Sequence, residues 1–331
     1  MSELDNNAIG RERPFFIAVV GPTGSGKTAL GVQLAKALGS QVISADSQLV
    51  YRGLDIGTAK PTFAERQGVA HHMIDLVSPD DDSFTVAGYR MMGREILNDL
   101  HRQHKIPVVV GGTGFYVRAL LDAPLAPDVT PDPAFRTQMR AYLEANGELA
   151  LHRLLTEKDP RRASQVHPRN TVRVIRALEI INALGGPVPE MPQPDVTQAL
   201  WVGLGYSQRE RMRQRIDQRI RAMLAAGWQE EVESLLVRYG KEAHALKVAH
   251  GYPELVEVCQ GNCSLSSAIK QLEINIHQYA TRQETWYRHQ IYRPKGSSTE
   301  VIRWFDVDQG PFDDVTDKAL TFVNETLESL S

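Results

Sequence analysis

Residues 21–28, GPTGSGKT, lie between an unbroken apolar run, FFIAVV (15–20), and a stretch with apolar residues at helical spacing, KTALGVQLAKAL (27–38), that stops at Gly39. No other feature of the chain restricts its fold so much. A run with no polar face belongs in a parallel strand covered on both sides, and parallel strands need long crossovers, usually helices. The segment fits G-x-x-x-x-G-K-[ST] with a strand before it and a helix after it, which is the context that gives this pattern meaning. Its glycines let the backbone turn so that several N–H groups converge, and the helix N-terminus adds positive potential. Gly21, Pro22, Thr23, Gly24, Ser25, Gly26, Lys27 and Thr28 are therefore expected to hold a chain of phosphates. Lys27 supplies a point charge, and the Thr28 hydroxyl suits magnesium. Whose phosphate is held is left open by the loop itself.

The residues that follow keep the same rhythm. QVISAD (41–46), HMIDLV (72–77) and IPVVVGG (106–112) read as strands, and 84–103 reads as a helix. Strands alternating with helices predict a parallel sheet with helices on both faces. The rhythm breaks near residue 122, where DAPLAPDVTPDP carries four prolines. Helical patterns follow at 134–147, 148–159 and 170–186, closed by PVPEMPQPD (187–195). QALWVGLGY (198–206) returns to a strand pattern, with helices at 207–226, 228–239 and 264–290 and a last strand at 300–307. The expected organisation is an α/β core over 14–124 and 197–331, interrupted by a helical insertion over 125–196.

A nucleotide hydrolase or kinase usually places a second acid at the end of a later apolar strand. Here IPVVV runs into Gly111-Gly112-Thr113-Gly114 instead. The acid stands in another place: Asp46 ends the second strand, on the sheet edge where ligands of open α/β sheets bind. An Asp-Ser pair can equally cap a turn. Further on, Arg211, Arg215 and Arg219 share one row of a helix, suited to clamping diphosphate or following an RNA backbone, while Glu210 and Asp217 offer the alternative of intrahelical pairing. QYATRQETWYRHQIYR (278–293) interleaves arginines with Tyr279, Trp286, Tyr287 and Tyr292, a mixture that suits unpaired bases. With a net charge of −3, any RNA contact must come from such local clusters. Cys259 and Cys263 lack the partners of a zinc site and are expected to be free thiols. His71, His72 and His250 lack metal-ligand spacing. The polar N-terminus and the absence of a long apolar run predict a soluble, cytoplasmic protein with no membrane contact. No segment calls for an obligate protein partner, and a monomer is expected.

GPTGSGKT, ISADSQLVYRGLDIGTAKP, VVVGGTGFYVRALL, HPRNTVRVIRALEI, QRIDQRIRAML and RQETWYR, in that order, resemble the tRNA dimethylallyltransferase (tRNA isopentenyltransferase) family of bacterial type over about residues 15 to 292. The resemblance implies a P-loop, kinase-like α/β fold with a helical insertion that helps hold tRNA. It implies transfer of a dimethylallyl group from dimethylallyl diphosphate to N6 of an adenine beside the anticodon, with Mg2+. The loop would then grip a leaving diphosphate. By the same matching Asp46 is the catalytic base, Thr23 lies close to the diphosphate, and Arg215, or else Arg219, stabilises the leaving group. The implied tRNA contacts fall on Asp46, Ser47, Gln48, Leu49, Thr113, Arg136, and Val172, Arg173, Val174, Ile175 and Arg176. VAHGYPEL (248–255) departs from the family's pattern at His250 and Pro253, and a proline supplies no charged phosphate contact.

Other function classes share parts of this pattern. A prenyltransferase acting on free AMP, ADP or ATP would have the loop and the aspartate, but no use for the insertion. A nucleotide kinase would need an arginine-bearing lid and a conventional nucleotide-binding acid. A regulatory phosphate-binding module would need no constellation around Asp46.

Overall fold

A computed structural model describes residues 14–121, 127, 129–192, 195–289 and 301–330. The polar N-terminus, most of the proline-rich 122–128 stretch with its 124/125 boundary, and Tyr292 and Arg293 lie outside the described residues. In chain order the elements are β1 (Phe16–Val20), α1 (Lys27–Ala37), β2 (Val42–Ser44), α2 (Phe63–Arg66), β3 (His71–His72), α3 (Val86–Arg102), β4 (Val108–Val110) and α4 (Gly114–Ala119). They continue with α5 (Pro133–Lys158), α6 (Pro160–Ser164), α7 (Thr171–Leu184), β5 (Ala199–Gly205), α8 (Arg209–Ala225), α9 (Trp228–Tyr239), α10 (His244–Val248), α11 (Tyr252–Cys259), α12 (Leu265–His289), β6 (Ile302–Asp306) and α13 (Phe312–Leu330).

The chain divides into two compact units, residues 1–122 with 195–331, and residues 123–194. The first holds one parallel sheet of order β3-β2-β4-β1-β5-β6. All five residues of β1 are fully buried, as expected of a strand with a neighbour on each edge and helices on each face. Leu30, Val32 and Leu34 of α1 pack on one face with Val315, Ala319, Val323 and Leu327 of α13. Those four residues of α13 recur every fourth position, the spacing of one helical stripe. The expected strand at 72–77 shrinks to His71–His72, because Met73 and Asp75 take left-handed backbone (φ 62° and 54°) that no strand accommodates.

The second unit contains α5, α6 and α7. Gly147 (φ 80°, ψ 170°) breaks α5, so the sequence boundary between 147 and 148 is a kink within one long element. Leu151, Leu155, Val174, Ile175, Leu178 and Ile181 form its core. Asp159 caps α6 by accepting the Arg162 N–H, and its other oxygen accepts the Val188 N–H at 2.9 Å. Among the described residues, no helix is long and apolar enough to cross a membrane.

Candidate active site

The loop after β1 is shaped by what lies against it. Gly21 has φ +144°, and a Cβ there would meet the Leu204 carbonyl oxygen at 2.2 Å. Gly26 begins α1 in left-handed backbone (φ 89°), with no side chain capping the helix start. The first amides of α1 are therefore open to an anion. Tyr206, just past β5, donates its hydroxyl to the Gly24 carbonyl at 2.7 Å and ties down the loop's crown. Ser25 Oγ is buried and has no hydrogen-bond partner among the described residues.

Lys27 folds back onto the loop, donating to the Pro22 carbonyl at 2.7 Å. Burial, with a further push from the Arg219 guanidinium and an opposing pull from Asp46, lowers its pKa from 10.5 to about 7. Arg219 Nη1 lies 3.5 Å from Thr23 Oγ1. Burial pulls Arg219 below the usual arginine range while Asp46 pulls it back up. α8 turns Arg219 onto the loop, whereas Arg215 is exposed, with its Cγ near Gly24 and its charge acting on Tyr206 and Arg219. Elsewhere on that helix Arg213 pairs with Glu210 at 3.7 Å, and Asp217 pairs with His277 at 2.8 Å rather than with an arginine.

Asp46 stands two residues past the end of β2. The ends of β2 and β4 interlock: the Thr113 N–H donates to the Ala45 carbonyl at 3.1 Å, and Ser47 N–H donates to Thr113 Oγ1 at 3.0 Å. Asp46 Oδ1 accepts the Gln48 N–H at 2.9 Å, the turn-capping bond an Asp makes two residues ahead. The capping and chemical readings therefore coexist, since the other carboxylate oxygen is left for a further partner. Its charge acts on Lys27 and Arg219 at the phosphate loop and on Tyr279 and His250 at the opposite side.

The segment after Asp46 is pinned from two directions. Lys60, 7% exposed, donates to the Tyr51 carbonyl at 2.9 Å and Asp55 at 2.6 Å, and pairs with Asp75. Glu231 of α9 accepts N–H bonds from Asp55, Ile56 and Gly57 at 2.8, 2.7 and 3.2 Å, and the Tyr252 hydroxyl at 2.6 Å. A half-buried carboxylate meeting so many donors fixes the whole loop.

A cavity of about 400 Å3 opens beside this segment, lined by Ser47, Gln48, Tyr51, Phe84, Thr113, Phe115, Tyr116, His250 and Tyr279 among others. His250 donates its backbone N–H to Gln48 Oε1 at 3.2 Å and lays its ring on Tyr279, centroids 3.9 Å apart. Burial lowers the His250 pKa, so the ring is neutral at pH 7. Of the aromatic residues on α12, Tyr279 faces the cavity and Trp286 packs edge-on to Phe115. Tyr287 is buried with its hydroxyl on the Gly111 carbonyl, a core role.

The anticipated contact residues divide. Ser47, Gln48 and Thr113 line the cavity, and Leu49 does not. In the helical unit Val172 (77% exposed) and Arg173 face solvent, but Val174 and Ile175 belong to the core. Arg136 and Arg176 are both spent on Glu179, which is 1% exposed. Arg136 binds it at 2.7 and 2.9 Å, Arg176 pairs with it and reaches the Val129 carbonyl at 2.8 Å, and Asp132 N–H adds a bond at 2.7 Å. Burial pushes the Glu179 carboxyl up, but these hydrogen bonds outweigh it and hold the group ionised. Cys259 and Cys263 are free, and among the described residues no cluster of His, Cys, Asp or Glu could hold a metal ion.

With this geometry in hand, the model of the family described as IPP transferase matches residues 49–290. The chain belongs to this family. It is 40% identical to the tRNA dimethylallyltransferase of Bacillus pumilus, over 88% of this chain and 89% of that one. It is 38% identical to the enzyme of the same name from Bacillus subtilis, over 88% and 90%. Among solved structures it resembles the full-length tRNA isopentenylpyrophosphate transferase of Bacillus halodurans, with a TM-score of 0.69, 36% identity and coverage of 96% and 98%. It also resembles a eukaryotic dimethylallyltransferase solved while acting on tRNA, with a TM-score of 0.76 and 26% identity over 95% of this chain and 79% of that one. IPP transferase membership makes the chain a prenyl-transferring enzyme. The α/β fold expected from the phosphate loop is that of these relatives.

Proposed function

We propose that the protein transfers a dimethylallyl group from dimethylallyl diphosphate to N6 of the adenine 3′ of the anticodon in tRNA, releasing diphosphate. The observation that carries this reading is the placement of Asp46. Its carboxylate acts electrostatically on Lys27 and Arg219 on one side and on two residues lining an aromatic-walled cavity, Tyr279 and His250, on the other. A phosphate grip alone would serve a kinase. A grip, a base and a cavity of this size together serve transfer of carbon to a flipped-out base.

The adenine amine is a poor nucleophile, because its lone pair is delocalised into the ring. As the N6 lone pair forms a bond to C1 of the donor, the C1–O bond breaks and its electron pair leaves with the diphosphate. The N6 proton becomes acidic and passes to the Asp46 carboxylate. Open amides of the loop and of α1, Lys27 and Arg219 receive the charge that develops on the departing oxygens. A base extruded from the anticodon loop has Ser47, Gln48 and Thr113 for its polar edge and Tyr279 and Phe115 for its faces. Mg2+ fits this donor set, since the exposed Thr28 hydroxyl offers one oxygen and a diphosphate with water offers the rest, the usual manner in which Mg2+ is held. Bound there it would neutralise the leaving group. Val172 and Arg173 are the residues of the helical unit proposed to meet tRNA.

The test is transfer of labelled prenyl from dimethylallyl diphosphate with Mg2+, offering unmodified tRNA and free AMP or ATP in parallel. Label on tRNA alone is expected. Label on the free nucleotide would move the protein to the class that prenylates adenylate. ATP consumption without label on either would mean that the loop holds ATP.

A further inference from the structure

The proposed chemistry joins two loops that are far apart in sequence, and one side chain spans them. Gln283 lies on α12 with 5% of its surface exposed. Its Oε1 accepts the backbone N–H of Thr23 at 2.8 Å, in the middle of the phosphate loop. Its Nε2 presses on the turn after β4, where a Cβ added to Gly112 would sit 1.9 Å away. One helical turn earlier, Tyr279 interacts with the side chains of Gln283 and Thr113. Thr113 in turn holds Ser47, the neighbour of Asp46. A continuous set of polar contacts thus runs from the donor's loop to the base.

We propose that Gln283 is a positioning residue that sets the distance between the donor's reacting carbon and the acceptor amine, by locking the 21–28 loop to the 111–114 turn. The proposal rests on the prenyl-transfer reading of the site. The chemistry accounts for a glutamine in this place. A buried amide N–H needs an acceptor. An apolar residue would leave the Thr23 N–H unpaired. A glutamate would satisfy it but bring negative charge beside the loop that receives an anion. Gly112 must stay without a side chain for the carboxamide to fit. Because the bond to Thr23 uses a loop amide without touching substrate, Gln283 acts through the loop's position and not on the reacting atoms.

Two near-isosteric variants separate this role from simple structural support. Gln283→Met removes the acceptor and lets the loop drift. A displacement of about 1 Å costs on the order of 100-fold in rate. Its kcat for prenyl transfer to tRNA should therefore fall about 30- to 100-fold, with KM for both substrates within about 3-fold of wild type. Gln283→Glu keeps the acceptor, so kcat should stay within about 5-fold while KM for dimethylallyl diphosphate rises about 10-fold or more. Thermal melting of each variant is measured alongside. The crossed pattern, with Met acting on kcat and Glu on donor KM, supports the proposal. Equal losses in both variants that track a fall in melting temperature would overturn it in favour of a structural role, and so would unchanged kinetics in Gln283→Met. If wild-type protein transfers no prenyl group in the same assay, the functional reading itself fails. An active wild type with indifferent variants overturns the role of Gln283 alone.

Discussion

Donor binding should take up a proton, and its affinity should fall as pH rises above 7. Lys27 is the group concerned. In the free protein burial is the first cause and Arg219 the second in bringing its pKa to about 7, so at pH 8 roughly a tenth of the molecules carry the charge. A diphosphate arriving at the loop favours the charged amine. Binding above pH 7 must therefore protonate Lys27, and the cost grows with each pH unit. If the bound lysine stays charged through pH 9, affinity drops about 10-fold by pH 8 and about 100-fold by pH 9, relative to the fully protonated protein, about 1.4 kcal/mol per decade. Phosphate groups lose their last proton near pH ~6, so the ligand's own charge is settled in this window. Titration calorimetry with dimethylallyl diphosphate, repeated in buffers of different ionisation enthalpy, should show uptake approaching one proton at pH 8 to 9. Arg219→Gln should move the midpoint up, because a repelling charge is removed. Asp46→Asn should move it down, because an attracting one is lost. Affinity that is flat from pH 7 to 9 with no proton uptake would refute the reasoning, as would an unaltered dependence in Lys27→Met.

Other outcomes follow from the same geometry. Asp46→Ala should lower transfer by about 10²- to 10⁴-fold, the range of a positioned base, while dimethylallyl diphosphate still binds; equal loss of both, read by kinetics and calorimetry, would make Asp46 structural. Arg219→Gln should weaken donor binding clearly more than Arg215→Gln, since only Arg219 reaches Thr23; the reverse order in a binding titration would restore Arg215. Glu179→Ala leaves Arg136, Arg176 and the Asp132 N–H without their buried acceptor and should destabilise the helical unit by about 1–3 kcal/mol. Hydrogen exchange confined to residues 123–194 would reveal it, and donor affinity should not change.

The fold was most legible where one local rule decided the matter. The β1 run, the loop and α1 carry strand, turn and helix signals in register, and WVGLG had no polar face and became β5. Residues 72–77 misled because apolar composition does not report backbone sign, and Met73 and Asp75 leave the strand by turning left-handed. Helix α13 was missed although Val315, Ala319, Val323 and Leu327 held the signal. For the site, the sequence located the loop and Asp46 and could not rank the arginines. Arg215 and Arg219 share one row of α8, and only the packing of that helix decides which one meets Thr23. The family resemblance likewise pointed to Arg136 and Arg176 as RNA contacts. Arg176 and Glu179 are three apart on one helix, a visible pairing, but Arg136 comes from another helix and its use by Glu179 is a tertiary fact. Gln283 is uncharged and lies inside a helical pattern, so nothing marked it before the fold brought Thr23 to it.

The order of strands has a consequence for how the protein is made. β1 is synthesised well before the second of the two strands that cover its edges, β4 and β5, with Ile17 opposite Val108 and Phe16 opposite Ala199. At a synthesis rate of about 5–20 residues per second, one apolar edge of β1 stays bare for roughly 10–40 seconds before β5 emerges. Within that interval the whole of residues 123–194 leaves the ribosome, and α5, α6 and α7 find their core partners among themselves. The phosphate grip is thus translated well before β5 and assembled late. A message truncated before residue 199 would yield a well-formed helical unit tethered to an uncovered apolar strand, the kind of product that cells aggregate or degrade.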